Sequence, residues 1–169
     1  LEAPEVPPPE ALQSEDASRR GMIDQVPPEL REHFLRPRPI ELRPVGPSDS
    51  LIPAKRAPNQ AVWVRATGKL PDNGPLQQCV LAYASDMTLL DTCLLPHGIG
   101  WFDPRVQMAS IDHAMWFHRS FRADEWLLYV QDSPFAGSGR GFNRGLVYTR
   151  DGKLVASVAQ EGLIRMRTD

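Results

Sequence analysis

The run from Leu154 to Met166 does most to limit what this chain can fold into. Taken at every second residue it reads Leu154, Ala156, Val158, Gln160, Gly162, Ile164, Met166, with one amide in an otherwise apolar row. A strand sends alternate side chains to opposite faces, so this row is the buried side of a long strand. A buried amide left without partners costs about 1–3 kcal/mol. No polar residue shares the row, so whatever meets Gln160 must come from elsewhere in the fold.

At 169 residues the chain suits one ordinary domain plus an appendage. Hydrophobic residues at 41% and charged ones at 24% are the balance of a globular protein with a packed core. The formal net charge of −2 argues against nucleic acid or an anionic membrane as the main partner. No uninterrupted apolar run reaches the roughly 18 residues that a bilayer-spanning helix needs. The start, Leu1-Glu2-Ala3-Pro4, has neither the basic nor the apolar region of a signal peptide. It also lacks an initiator Met, so a piece of something longer is expected. Cys79 and Cys93 fall in one predicted helix, about 21 Å apart at 1.5 Å per residue. A disulfide cannot span that distance, and both are expected as reduced thiols packed in a core.

Twelve of the 17 prolines lie in the first 60 residues, and that asymmetry sets a boundary. Residues 1–59 read as a Pro-rich linker and connector, and 60–169 as the packed domain. Glu2 to Ser18 is expected to be flexible, followed by a short helix at Pro28–Leu35 and an edge strand at Ile40–Val45, cut short by Pro44. In the domain, Ala61–Leu70 alternates as a strand, and Pro71-Asp72-Asn73-Gly74-Pro75 is a turn. Leu76–Leu94 has the spacing of one long helix. Four strands follow at Gln107–Arg119, Trp126–Asp132, Phe142–Thr149 and Leu154–Arg167, the last two joined by an Asp151-Gly152 hairpin turn. One sheet wrapped round one helix, an α+β architecture, accounts for this order.

Three polar residues stand out against that scaffold. Asp86 lies in the middle of the predicted helix, and its neighbours one turn away, Ala82, Tyr83, Leu89 and Leu90, are apolar. It reads as a functional carboxylate or as a structural one bonded to a loop; Asp91 has three apolar neighbours of the same kind. Ser110, taken alone, reads as structural, and no Gly-x-Ser-x-Gly elbow surrounds it. Gln160 could equally pair with sheet backbone. His113 and His118 fall on opposite faces of one strand and no zinc-type pairing exists, so no metal is expected. Gly137-Ser138-Gly139-Arg140-Gly141 has no helix after it and reads as a strand junction rather than a phosphate loop.

The runs Tyr83-Ala84-Ser85-Asp86, Pro96-His97-Gly98-Ile99-Gly100, Ala109-Ser110-Ile111-Asp112-His113-Ala114-Met115-Trp116-Phe117-His118-Arg119, Glu125-Trp126-Leu127-Leu128-Tyr129 and Val155-Ala156-Ser157-Val158-Ala159-Gln160-Glu161-Gly162 resemble the C-terminal half of the acyl-CoA thioesterase II family. The resemblance implies a hotdog fold, an antiparallel sheet wrapped round a long central helix, as the second of a tandem pair. It implies hydrolysis of fatty acyl-CoA to free fatty acid and CoA with no cofactor. Asp86, Ser110 and Gln160 fall at the family's catalytic positions, Ser110 where the bacterial prototype has Thr. The expected chemistry is a water activated by Asp86 and held by Ser110 and Gln160. Arg140 and Arg144 are candidates for the CoA phosphates, or else solvated surface residues.

Two other readings stay open. A hotdog hydratase would want an acid paired with His, which Asp86-Met87-Thr88-Leu89-Leu90 does not supply. A non-catalytic hotdog module that binds acyl-CoA or builds an oligomer would keep the fold and lose the polar set. The expected partners are acyl-CoA, an N-terminal hotdog half present as a separate chain, and further copies in a homo-oligomer, because a lone sheet leaves an edge exposed. A cytoplasmic location is expected, with a peroxisome unsupported because Thr168-Asp169 is no Ser-Lys-Leu address.

Overall fold

The computed structural model describes residues 1–47, 54–100 and 103–167, and the Thr168-Asp169 terminus lies outside them. The described residues form one seven-stranded antiparallel sheet. Its strands are β1 (Ile40–Val45), β2 (Asn59–Ala66), β3 (Val106–Ser110), β4 (Ala114–Phe117), β5 (Leu127–Gly137), β6 (Arg140–Thr149) and β7 (Leu154–Met166). They run β1-β2-β5-β6-β7-β3 across the sheet, with β4 also paired to β7. The α-helices are α1 (Glu15–Gly21), α2 (Pro28–Phe34) and α3 (Gly74–Ser85). The sheet curls round the helical stretch that begins with α3, which is the hotdog arrangement the resemblance implies.

Alternation along the strands sets the inner face. On β7 the residues Ala156, Val158, Gln160 and Gly162 are buried, opposite Val147, Gly145, Asn143 and Gly141 of β6. Leu81, Ala84 and Leu89 of the helical stretch pack on this face together with Val62, Val64, Leu127 and Tyr129. Close approach depends on two glycines. A Cβ on Gly141 would lie 2.3 Å from Cys93 Sγ, and one on Gly162 2.2 Å from Leu90 Cδ1.

The helical path runs Gly74–His97 and covers the expected Leu76–Leu94, but α geometry ends at Ser85. Beyond it come turns and two 3-10 segments, Leu90–Cys93 and Leu95–His97, closed by Gly98 at φ 64°. Sheet side chains take carbonyls that a continued α ladder would use. Tyr129 donates its hydroxyl to Ser85 O at 3.2 Å, and Gln60 its amide to Thr88 O at 3.0 Å. Asp86 is therefore the C-cap of α3 and not a mid-helix residue. By length and composition Gly74–His97 could also cross a membrane, but half of its most apolar window is buried inside the sheet, as befits a core helix.

The expected single strand Gln107–Arg119 is two. Ser110 pairs with Gly162 and Ala114 with Ala159, so Ile111, Asp112 and His113 stand against only Gln160 and Glu161 of β7. One residue is in excess, a β-bulge. Ile111 and Asp112 both donate their N–H to Glu161 O, at 2.9 and 3.3 Å, and Asp112 Oδ1 accepts from Glu161 N at 2.7 Å.

The segment expected to be a flexible linker is packed. Trp63, Trp126, Leu128 and Tyr148 make an apolar patch covered by Ala3, Val6 and Leu12. Trp63 Nε1 donates to Pro7 O at 2.9 Å and Arg43 Nη1 to Pro9 O at 2.7 Å. Prolines preset an extended path, and the patch gives that path a surface to lie on. β1 forms at the expected Ile40–Val45 and occupies one edge. The glycine-rich stretch is the β5–β6 hairpin turn, with Ser138 at φ 53° and Gly139 at φ 76°. Cys93 is buried as expected, whereas Cys79 is exposed on α3.

Candidate active site

Three elements bring the three singled-out residues together. Asp86 leaves the end of α3, Ser110 closes β3, and Gln160 points inward from the middle of β7. Gln160 Nε2 donates to Asp86 Oδ1 at 2.5 Å, and Ser110 Oγ donates to the same oxygen at 3.1 Å. The partner demanded by the amide in the apolar row is thus a carboxylate 74 residues away in sequence. Gln160 is fully buried, and its Oε1 has no hydrogen-bond partner among the described residues.

Asp86 and Ser110 are not buried. The Asp86 side chain is 52% exposed, because the α3 terminus lies at the β3–β4 edge of the sheet, where no further strand of the described residues covers it. Its apolar neighbours in sequence do not bury it: two of them, Leu89 and Leu90, turn into the core beyond the end of α3. An open depression of about 460 Å³ lies here, walled by Tyr83, Met87 and Ile111 around Asp86 and Ser110. Met87 also borders a second cavity of about 350 Å³, with Val62, Leu94 and Leu95 in its wall and Arg19, Arg38 and Arg56 around it.

The residues that sequence reasoning passed over are His113 and Ser85. His113 lines the same depression, with Nε2 2.8 Å from Ser85 Oγ and Nδ1 3.9 Å from Asp86 Oδ1. The signal lay in Ile111-Asp112-His113, which interrupts strand alternation with two polar residues in succession. His118 faces the other side of the sheet, 2.8 Å from Ser157 Oγ, so the two histidines do not converge. Among the described residues no cluster of His, Cys, Asp and Glu could hold a metal. Arg140 pairs with Glu161 and Arg144 with Asp132, all on the face of the sheet away from Gln160.

Chemically, the arrangement is one carboxylate fixed by two neutral donors and open to solvent. The two hydrogen bonds fix how the carboxylate is turned. A fixed carboxylate beside a cavity can take a proton from a bound water.

The family model described as acyl-CoA thioesterase matches residues 31–163. Acyl-coenzyme A thioesterase 8 of Homo sapiens is 40% identical over 178 residues, covering 97% of this chain and 53% of that protein. Acyl-CoA thioesterase 2 of Haemophilus influenzae is 36% identical over 162 residues, covering 96% of this chain and 57% of its own length. The crystal structure of the acyl-CoA thioesterase II TesB2 from Mycobacterium marinum superposes with a TM-score of 0.75 at 40% identity. It is covered over 57% of its chain by 99% of this one. The chain spans about half the length of the curated relatives it matches.

Proposed function

The chain belongs to the acyl-CoA thioesterase family, and from that membership we propose that it carries the water-activating site of a fatty acyl-CoA hydrolase. The observation that supports this most is the convergence of Ser110 and Gln160 on one oxygen of Asp86. Asp86 takes a proton from water as the water oxygen attacks the thioester carbonyl carbon. The tetrahedral intermediate then expels CoA as thiolate, which takes that proton back from Asp86. The products are free fatty acid and CoA. Ser110 and Gln160 act on the carboxylate directly, holding Oδ1 so that Oδ2 meets the water. The cavity beyond Met87 offers room for the acyl chain.

The exposure of Asp86 favours a second component. A base works best where water is excluded, and the site is open on the side of β4. Ile111 is 52% and Trp116 54% exposed along that edge. We infer that a further hotdog unit packs here and closes the depression. Residues 1–59 are then the connector, contributing β1 to the sheet, and 60–169 the hotdog unit. A non-catalytic module is the competing reading, and the same exposure is what favours it.

Thiol release from acyl-CoA, measured on this chain alone and with a second hotdog unit added, separates the two. Asp86→Asn is expected to lower turnover about a hundredfold or more, with stability changed by less than about 0.5 kcal/mol. Turnover at the parental rate in that variant removes Asp86 as the base.

A further inference from the structure

His113 is a third side chain directed at Asp86, and its surroundings assign it a role. The β-bulge at Ile111-Asp112-His113 turns the imidazole inward, where its side chain is 22% exposed. Nε2 is held 2.8 Å from Ser85 Oγ, and Ser85 is fully buried. Nδ1 is a buried atom with no hydrogen-bond partner among the described residues, and Asp86 Oδ1 is 3.9 Å from it. A buried ring nitrogen needs a partner, and a hydroxyl proton rotates to suit its acceptor.

We propose that His113 is a positioning residue for Asp86. Ser85 Oγ has one proton and two close acceptors for it, Ala82 O at 2.9 Å and His113 Nε2 at 2.8 Å. A bare Nδ1 would turn its lone pair on the Asp86 carboxylate, so the proton goes to Nε2. The neutral ring carries its own proton on Nδ1 and donates it to Asp86 Oδ1 as the depression closes on substrate. Oδ1 then receives three donors, from Gln160, Ser110 and His113, and Oδ2 alone is presented to the attacking water. Ser85 is not a nucleophile in this arrangement, because no substrate reaches a fully buried hydroxyl. It fixes the tautomer. The histidine moves no proton of the reaction and acts only through the carboxylate.

This role rests on the thioesterase function above, and its test separates the two. Asn at 113 can place an amide N–H near the position of Nδ1, Gln reaches only the position of Nε2, and Phe keeps ring volume without a donor. In the assembly that shows parental activity, His113→Phe is expected to lower kcat about tenfold to a hundredfold with KM within twofold. His113→Asn is expected to restore most of that loss, and His113→Gln little of it. Equal kcat in all three variants and the parent overturns the proposal. Long-range ¹H–¹⁵N spectra of the imidazole read the tautomer in the chain itself, whether or not it turns over. A proton on Nδ1 supports the assignment, and a proton on Nε2 with Nδ1 bare defeats it. If the parent releases no thiol, the hydrolase function falls while the tautomer still decides the role of His113.

Discussion

Ser110 and His113 both reach toward the carboxylate of Asp86, although an interval of three residues in a regular strand would put them on opposite faces. The extra residue of the bulge removes that half-turn of alternation. Asp112 pins the bulge by accepting from Glu161 N at 2.7 Å. The bulge lies beside Gln160 on β7, so one local irregularity sets the geometry of the whole polar group.

Asp112→Ala tests that relationship. The bond it removes lies on the exposed edge, so stability is expected to fall by only about 0.5–1 kcal/mol. Hydrolysis is expected to fall about tenfold or more, since a shift of about 1 Å in a positioned group is enough for that. Urea unfolding and thiol release, run on the same preparation, check the pair of outcomes. Equal and small losses in both would mean that the bulge does not set the site.

Gln160→Met separates fold from function. The side chain is fully buried, and Oε1 has no partner to lose. Met keeps the volume, so stability is expected to change by less than about 1.5 kcal/mol. Asp86 loses its shorter donor, and turnover is expected to drop at least about tenfold. Thermal unfolding and kcat measured together decide it.

Much of this architecture could be read from the chain because its signals are local. Alternation in β7, the turn at Asp151-Gly152 and the proline-limited Ile40–Val45 each sit within a few residues, and each strand formed where expected. A register shift between Val147 and Tyr148 nonetheless sends Leu154 to the outer patch with Trp63, and the end of the row leaves Met166 exposed. That Gln160 needs a partner from elsewhere in the fold followed from the cost of a buried amide, and Asp86 meets it. What stayed hidden depends on contacts between distant segments. The end of α3 at Ser85 follows from Tyr129 and Gln60 binding its carbonyls, the packing of the proline-rich start from a patch assembled by Trp63, Trp126 and Leu128, and the exposure of Asp86 from an uncovered sheet edge.

Asn143 offers a prediction of the opposite sign. It is the cross-strand neighbour of Gln160 and fully buried, and among the described residues its amide meets only the Cys93 thiol, without the geometry of a good hydrogen bond. Replacing such a group by an apolar one of similar shape removes a desolvation cost that a weak contact to a thiol does not offset. Asn143→Val is expected to raise stability by about 1 kcal/mol, read as a higher urea midpoint at unchanged slope. A lower midpoint would show that the amide has a partner in solution.

The two thiols should behave as different groups although both lie in one helical path. Burial pushes Cys93 up to about 11 from its ordinary 9.0, while Cys79 is exposed on α3. Alkylation requires thiolate and access, so iodoacetamide at neutral pH is expected to modify one site in the folded chain, at Cys79. Mass spectrometry of the intact chain counts the adducts, and peptide mapping locates them. Because the folded pKa of Cys93 lies above its unfolded value, the unfolded chain gives up this proton first as pH rises. The contribution to stability is whole below about pH 9 and is lost as pH climbs toward about 11. Cys93→Ala removes that dependence, so its urea midpoint should fall less steeply between pH 9 and 11 than the parent's. Parallel slopes for the two chains would mean that the Cys93 thiol ionises as readily folded as unfolded.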